Sequence, residues 1–371
     1  GNTASAAGAV DLRNGAFTVH GDFTGNTATS RGGALSADQF ATVDFQMRWV
    51  EGNSAETGGA IDIRMGATAT ITGGVFTHNH ADTTGGAVYT EQPLTISGAT
   101  FEDNDADGDG GALWAWVGNA IAVDDSIFIA NRSGRGGAVG VAPGVDVGEV
   151  QLTDVEFREN HATAGGGGLW SSGVPVVLAG TVDFLGNSSD GDGGGVLATE
   201  NRVSSTTSAE QGCSSLSSVA SVTTFQENSA GNNGGGLAMT APADATSTGC
   251  TLDLGGPTVF HANQATFQGA ALELLGYLGS GTPSHAVLRG DTTFTANASA
   301  TADMGAVRLH TGELAIQSVI TDPALPNTSV FLRTTNPLGA GSYDAPALME
   351  SYTCDASIVD ANAACSESFN P

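Results

Sequence analysis

The chain has 371 residues, 40% of them hydrophobic, with 54 Gly and 13% charged residues, a composition that excludes a disordered acidic tail. Its 39 acidic residues face 11 Arg and no Lys, a net charge of −28 that repels nucleic acid and anionic membranes. No apolar run is long enough to span a bilayer as a helix, which leaves a self-repelling surface protein, a salt-adapted protein or a cation binder.

The chain opens on GNTASAAGAV with no signal-peptide pattern, as a mature or trimmed product does. Asn2 and Gly8-Ala9-Val10 already carry the spacing that the rest of the chain repeats, so the first residues are expected to enter mid-rung. An open rung invites strand addition, and head-to-tail stacking is one expected consequence. Phe23 and Asn26 precede Gly32-Gly33-Ala34-Leu35, and Asn53 precedes Gly58-Gly59-Ala60-Ile61. The phrase returns at Phe76/Asn79, Phe101/Asn104, Phe128/Asn131, Phe157/Asn160, Phe184/Asn187 and Phe225/Asn228, each followed by Gly-Gly, then Ala or Gly, then an aliphatic residue. Two decayed copies follow at Phe260/Asn263 and Phe294/Asn297. From Asn26 to Asn187 the asparagines recur every 25 to 29 residues, and the later intervals are 41, 35 and 34.

Each interval holds short β-favouring runs, such as residues 112–117, 120–123 and 126–129, with Gly, Asn, Asp or Pro at the joints. Three short strands per period and no helical periodicity predict one coil of an all-β, single-stranded parallel β-helix. About 11 to 13 rungs, spaced near 4.8 Å, make a rod on the order of 50–60 Å long. The Phe and the aliphatic residue after the glycines are expected to face inward. The ten asparagines from Asn26 to Asn297 are expected to form an amide ladder. The double Gly admits positive φ and close backbone approach. The helix is expected over 1–313, with insertions near 200–222 and 240–256, and a C-terminal cap over 314–371.

Cys213 and Cys250 lie at nearly the same place on neighbouring rungs and are expected to be bonded. Cys354 and Cys365 are expected to staple the cap, because none of the four has zinc-site spacing. The acidic turns are the candidate chemistry. Asp105, Asp107 and Asp109 stand one, three and five residues past Asn104, with Ser188, Asp190 and Asp192 at the same places past Asn187. Glu56, Asp82 and Asp107 share a column on consecutive rungs. Two readings stand: solvated turn carboxylates, or calcium held by Asp82, Asp105, Asp107, Asp109, Asp190 and Asp192, although Trp116 occupies the position where a calcium loop carries its bidentate Glu. Arg132 and Arg135 lie near the same turn and are read as offsetting its charge rather than as a base. The histidines near the Asn turns, His80 among them, are read as solvated. Trp114, Trp116 and Trp170 are candidate contacts for a sugar ring or a partner, with burial as the alternative.

The paired FxxN and GGA[ILV] phrases, as in Phe101-Glu102-Asp103-Asn104 and Gly110-Gly111-Ala112-Leu113, resemble the repeat of the chlamydial polymorphic outer-membrane proteins over about residues 1–310. The resemblance implies a right-handed parallel β-helix of pectate-lyase-like architecture, at the outer surface of a bacterium or secreted, and used in adhesion. A non-enzymatic adhesin or fibre-forming element is therefore expected. Its partner would be a host or neighbouring-cell surface protein or glycan, or another copy of itself. The alternative is a calcium-dependent polysaccharide-binding or lyase-like protein. Catalytic residues are not expected: the chain lacks Lys, and no acid–base pair stands out.

Overall fold

The computed structural model of the protein describes residues 1–118, 120–143, 148–200, 213–218, 221–241, 250–275, 284–300, 306–319, 332–334 and 343–344. Among them there is no helix, and so none long and apolar enough to cross a membrane. One repeat shows the construction. After Asn79 the strand His80–Thr84 runs along a first face, and Gly85-Gly86 turns the chain into Val88–Thr90 on a second. A bend leads to Leu94–Ser97 and Thr100–Glu102 on a third face, which returns the chain to Asn104. Among the described residues, eleven strands stack on the first face, and the second and third faces join in one sheet of 27 strands. Every pairing between these strands is parallel, repeat upon repeat, which makes the chain an all-β parallel β-helix as its periodicity predicts.

Constant intervals between motifs bring like residues into register. Phe76 pairs with Phe101, Phe101 with Phe128 and Phe128 with Phe157. Their rings stack with centroids 4.7, 4.9 and 5.1 Å apart, and the column continues to Phe294. The strand spacing imposes this separation, which lies within the range where offset aromatic pairs attract. Each fully buried ring contributes about 2–3 kcal/mol through area removed from water. In the second repeat Val50 takes the Phe place, between Phe23 and Phe76.

Beside the rings runs the amide ladder. Asn104 Nδ2 donates to Asn131 Oδ1 at 2.9 Å and to the carbonyl of Phe76 at 2.9 Å, while its backbone N donates to the same Asn131 oxygen at 3.0 Å. The pattern runs unbroken from Asn2 through Asn26, Asn53, Asn79, Asn104, Asn131, Asn160, Asn187, Asn228 and Asn263 to Asn297. In the ladder's interior each amide uses both N–H donors and both acceptor sites, so a side chain with no water access strands nothing. Asp lacks the donor, and Gln places the amide one methylene too far out.

The turns explain the glycines. Gly85 sits at φ 68°, and a Cβ on Gly86 would stand 2.0 Å from the carbonyl oxygen of Gly111 on the next rung. The first glycine therefore supplies the left-handed backbone and the second the close approach. A second left-handed position had no such signature: the residue before the ladder Asn is at φ 53° in His78, 50° in Asp103 and 55° in Glu159. Glycine occupies it only in some repeats, as at Gly25, Gly52 and Gly186, so the sequence masks the requirement.

Cys213 and Cys250 form a disulfide linking the two insertions. Cys354 and Cys365 lie outside the described residues. The strand Val307–Val319 runs across the point where the repeat ends in sequence, and pairing continues to Leu332–Thr334 and Tyr343–Asp344.

Candidate functional site

On the first face the residues directly after the ladder asparagines form an outward column. Register places His80 beside Asp105, Asp105 beside Arg132, and Arg132 beside His161. His80 Nδ1 lies 3.1 Å from Asp105 Oδ2, and Nε2 lies 3.4 Å from Asp82 Oδ1. One ligand atom from each of His80, Asp105 and Asp107 lies within 4.8 Å of the other two. His80 and Asp105 sit on two adjacent parallel strands, with the exposed Asp107 just past the end of the second, and the ladder and ring column hold the strands at fixed spacing.

Asp109 stands apart from this group. Its carboxylate takes a bidentate pair from Arg135, with Nε at 3.0 Å and Nη2 at 2.6 Å. The three aspartates that alternate along the sequence therefore do not converge, and the structure brings His80 to Asp105 and Asp107 in place of Asp109. The reason is strand geometry: residues one and three past the Asn face outward together, whereas Asp109 lies at the bend, within reach of the next rung's arginine. Asp190 and Asp192 lie several rungs away. His161 Nε2 is 3.8 Å from Asp190, and Asp192 accepts from the backbone N and Nδ2 of Asn233. Reading the column position of His80 against that of Asp105, 25 residues on, was the signal that finds the imidazole.

The tryptophans belong to a second feature. Where the first face bends into the second, the ends of its strands fold back over the outer side of the second-face strands. Thr57 Oγ1 donates to Asp62 Oδ2 at 2.8 Å, Arg31 pairs with Asp38 at 2.6 Å, and the Arg135 guanidinium lies 4.2 Å over the Trp170 ring. In this crook Tyr89, Trp114, Ala142, Trp170, Leu197 and Ala238 form an apolar cluster outside the main core. Trp114 and Trp170 stack at 5.8 Å across the intervening rung, which carries Gly140. A Cβ there would stand 2.6 Å from Trp114 Cε3, so the glycine makes the stack possible. Trp114 and Trp170 are 3% and 5% exposed, with ring faces given to each other and to Arg135, whereas Trp116 packs edge-on to Trp114 and stays 39% exposed. Of the three, only Trp116 presents a free surface.

Charges in the crook are held by partners. Burial pushes the Asp62 carboxyl up, while Arg64 and Thr57 work against that shift. Burial raises the Tyr89 hydroxyl too, aided by its hydrogen bond to Glu91. Glu273 is pushed up to about 8, first by burial and then by Asp192, against the opposing effect of Arg308 at 2.9 Å. These shifts arise from packing on the rod, each with a named structural partner.

Fold and site together define a parallel β-helix repeat protein. The family model of the Chlamydia polymorphic membrane protein repeat matches the chain at residues 21–38 and 73–91. No curated protein and no solved structure matches the chain.

Proposed function

We propose that the protein is a non-enzymatic, extracellular surface element of a bacterium that acts as an adhesin, with the rod serving to project its outer faces. The observation that carries this reading is the match of the repeat to a surface-protein family on a rod whose inner polar groups satisfy one another. Arg13, Arg31, Arg48, Arg64, Arg135, Arg158, Arg289 and Arg308 each close onto a carboxylate, which suits a display scaffold more than a reaction centre. Trp116 and exposed carboxylates of the first face such as Asp107 are among the groups the rod offers a partner.

The test is adhesion of beads coated with the full chain to cultured epithelial cells and to neighbouring bacteria. Protease or glycosidase treatment of the target separates a protein receptor from a glycan, and sedimentation of the free chain reads self-association. Binding well above bare beads is expected. Binding no better than bare beads to any target, with release of unsaturated oligosaccharides from acidic polysaccharide, would replace this reading with the lyase-like one.

A further inference from the structure

We infer that His80, Asp105 and Asp107, with Asp82 at the margin, form a binding site for a divalent transition metal of the zinc class rather than for calcium. The inference stands apart from the adhesive role and rests on this group alone. Three features of the geometry carry it.

The first is the donor set. One nitrogen and two carboxylate oxygens already lie within 4.8 Å of one another. Four-coordinate zinc holds nitrogen and oxygen at about 2.0–2.2 Å, which places its ligand atoms roughly 3.3 Å apart. Closing that difference takes about 1.5 Å of movement, within reach of rotation at the exposed Asp105 and Asp107 side chains. A water completes the four. Calcium requires six to eight oxygens at about 2.3–2.6 Å. The turn cannot supply them, because Asp109 is engaged by Arg135 and an imidazole stands where calcium would need an oxygen.

The second feature is the imidazole itself. Both of its ring nitrogens face carboxylates, Nδ1 toward Asp105 and Nε2 toward Asp82. Nδ1 stands 3.1 Å from Asp105 Oδ2, close to the spacing of two ligand atoms on one zinc, and imidazole with carboxylate is a donor combination that suits zinc, nickel and their neighbours.

The third is the distribution of arginine. Among the described residues, eight arginines pair with carboxylates elsewhere on the rod, whereas Asp105 and Asp107 have none. Arg132 is next to Asp105 in the column but forms no ion pair with it among the described residues. The rigid ladder beneath fixes the spacing of the two strands, so only the side-chain rotamers remain to be ordered on binding.

The experiment is calorimetric titration of the full chain, unreduced and stripped of metal, with zinc chloride and separately with calcium chloride, together with cobalt(II) absorption in the visible. One zinc per chain is expected at this site, with zinc at least tenfold tighter than calcium, and cobalt d–d bands that report a nitrogen ligand. His80→Ala and Asp107→Asn are each expected to weaken zinc at least tenfold and to abolish the cobalt bands, while Asp109→Asn leaves both unchanged. Circular dichroism keeps a folding defect apart from lost ligation. Zinc binding unaffected by His80→Ala, absence of saturable zinc binding, or calcium binding as tight as zinc would each overturn the assignment.

Discussion

Replacing Asn131 by Ala opens the ladder at its middle. Asn131 Oδ1 accepts from the backbone N and Nδ2 of Asn104, and Asn131 Nδ2 donates to Asn160 Oδ1 and to the carbonyl of Phe101, all at 2.9–3.0 Å. Alanine strands two donors on Asn104 and one acceptor on Phe101, while Asn160 Oδ1 retains its bond from the backbone N of residue 131. Both asparagines and the ring are 0% exposed, so no solvent replaces what is lost. At about 1–3 kcal/mol per stranded group the sum is roughly 3–9 kcal/mol, and a water entering the void brings it to about 4 kcal/mol. At the ladder's end Asn297 is half-buried, and although its partners Asn263 and Phe260 are 0% exposed, the space it vacates opens to water that can bond them, so Asn297→Ala should cost only about 1–2 kcal/mol. A stacked solenoid need not unfold as one unit, so the local measure is hydrogen exchange at the Asn104 amide, read beside the urea transition. Exchange there should rise by about two to three orders of magnitude in Asn131→Ala. The reasoning is refuted if Asn131→Ala is no more costly than Asn297→Ala, or if that amide remains protected. Asn131→Asp gives an independent check. Its carboxyl keeps the acceptors but faces Asn160 Oδ1 and the Phe101 carbonyl without a donor, which raises its folded pKa above the unfolded value of about 3.9. The stability it retains is then fully present below about pH 4 and lost as pH rises toward neutrality.

Glu273, pushed up to about 8 by burial, is protonated in the folded chain over a range where the unfolded chain ionises it. Its contribution should be fully present below about pH 4.5 and lost as pH rises through 8, a slope that Glu273→Gln removes from denaturation curves recorded between pH 5 and 9. Gly140→Ala drives a methyl against the Trp114 ring. It should cost about 1–3 kcal/mol and weaken the near-ultraviolet dichroism of the Trp114–Trp170 pair; an unchanged spectrum would dissolve the role given to this glycine. Reducing the Cys213–Cys250 bond frees a loop of sequence separation 37, worth about 3–4 kcal/mol by chain entropy, and a thiol reagent should label both residues only after reduction.

The core of the rod was legible in the sequence because its register repeats: like residues at constant intervals must stack, and Phe, Asn and Gly each have a geometric reason to recur. The candidate metal group was legible only in part. Asp105 and Asp107 carry the signal of alternating carboxylates, but they share it with Asp109, which Arg135 draws away from 26 residues downstream. That choice depends on which side chain reaches across the bend, and the intervals along the chain are blind to it.

The sequence by itself determined the rung, the ladder and the stacked rings, since these follow from the period and from in-or-out alternation along a strand. Tertiary structure alone decided that His80 turns to Asp105, and that Trp114 and Trp170 close over Gly140 in a buried crook. The physical reason is that alternation tells inside from outside but not how the outside is covered. The bend between first and second faces folds strand ends back over outward side chains, so residues that alternation marks as solvent-facing become a second apolar cluster.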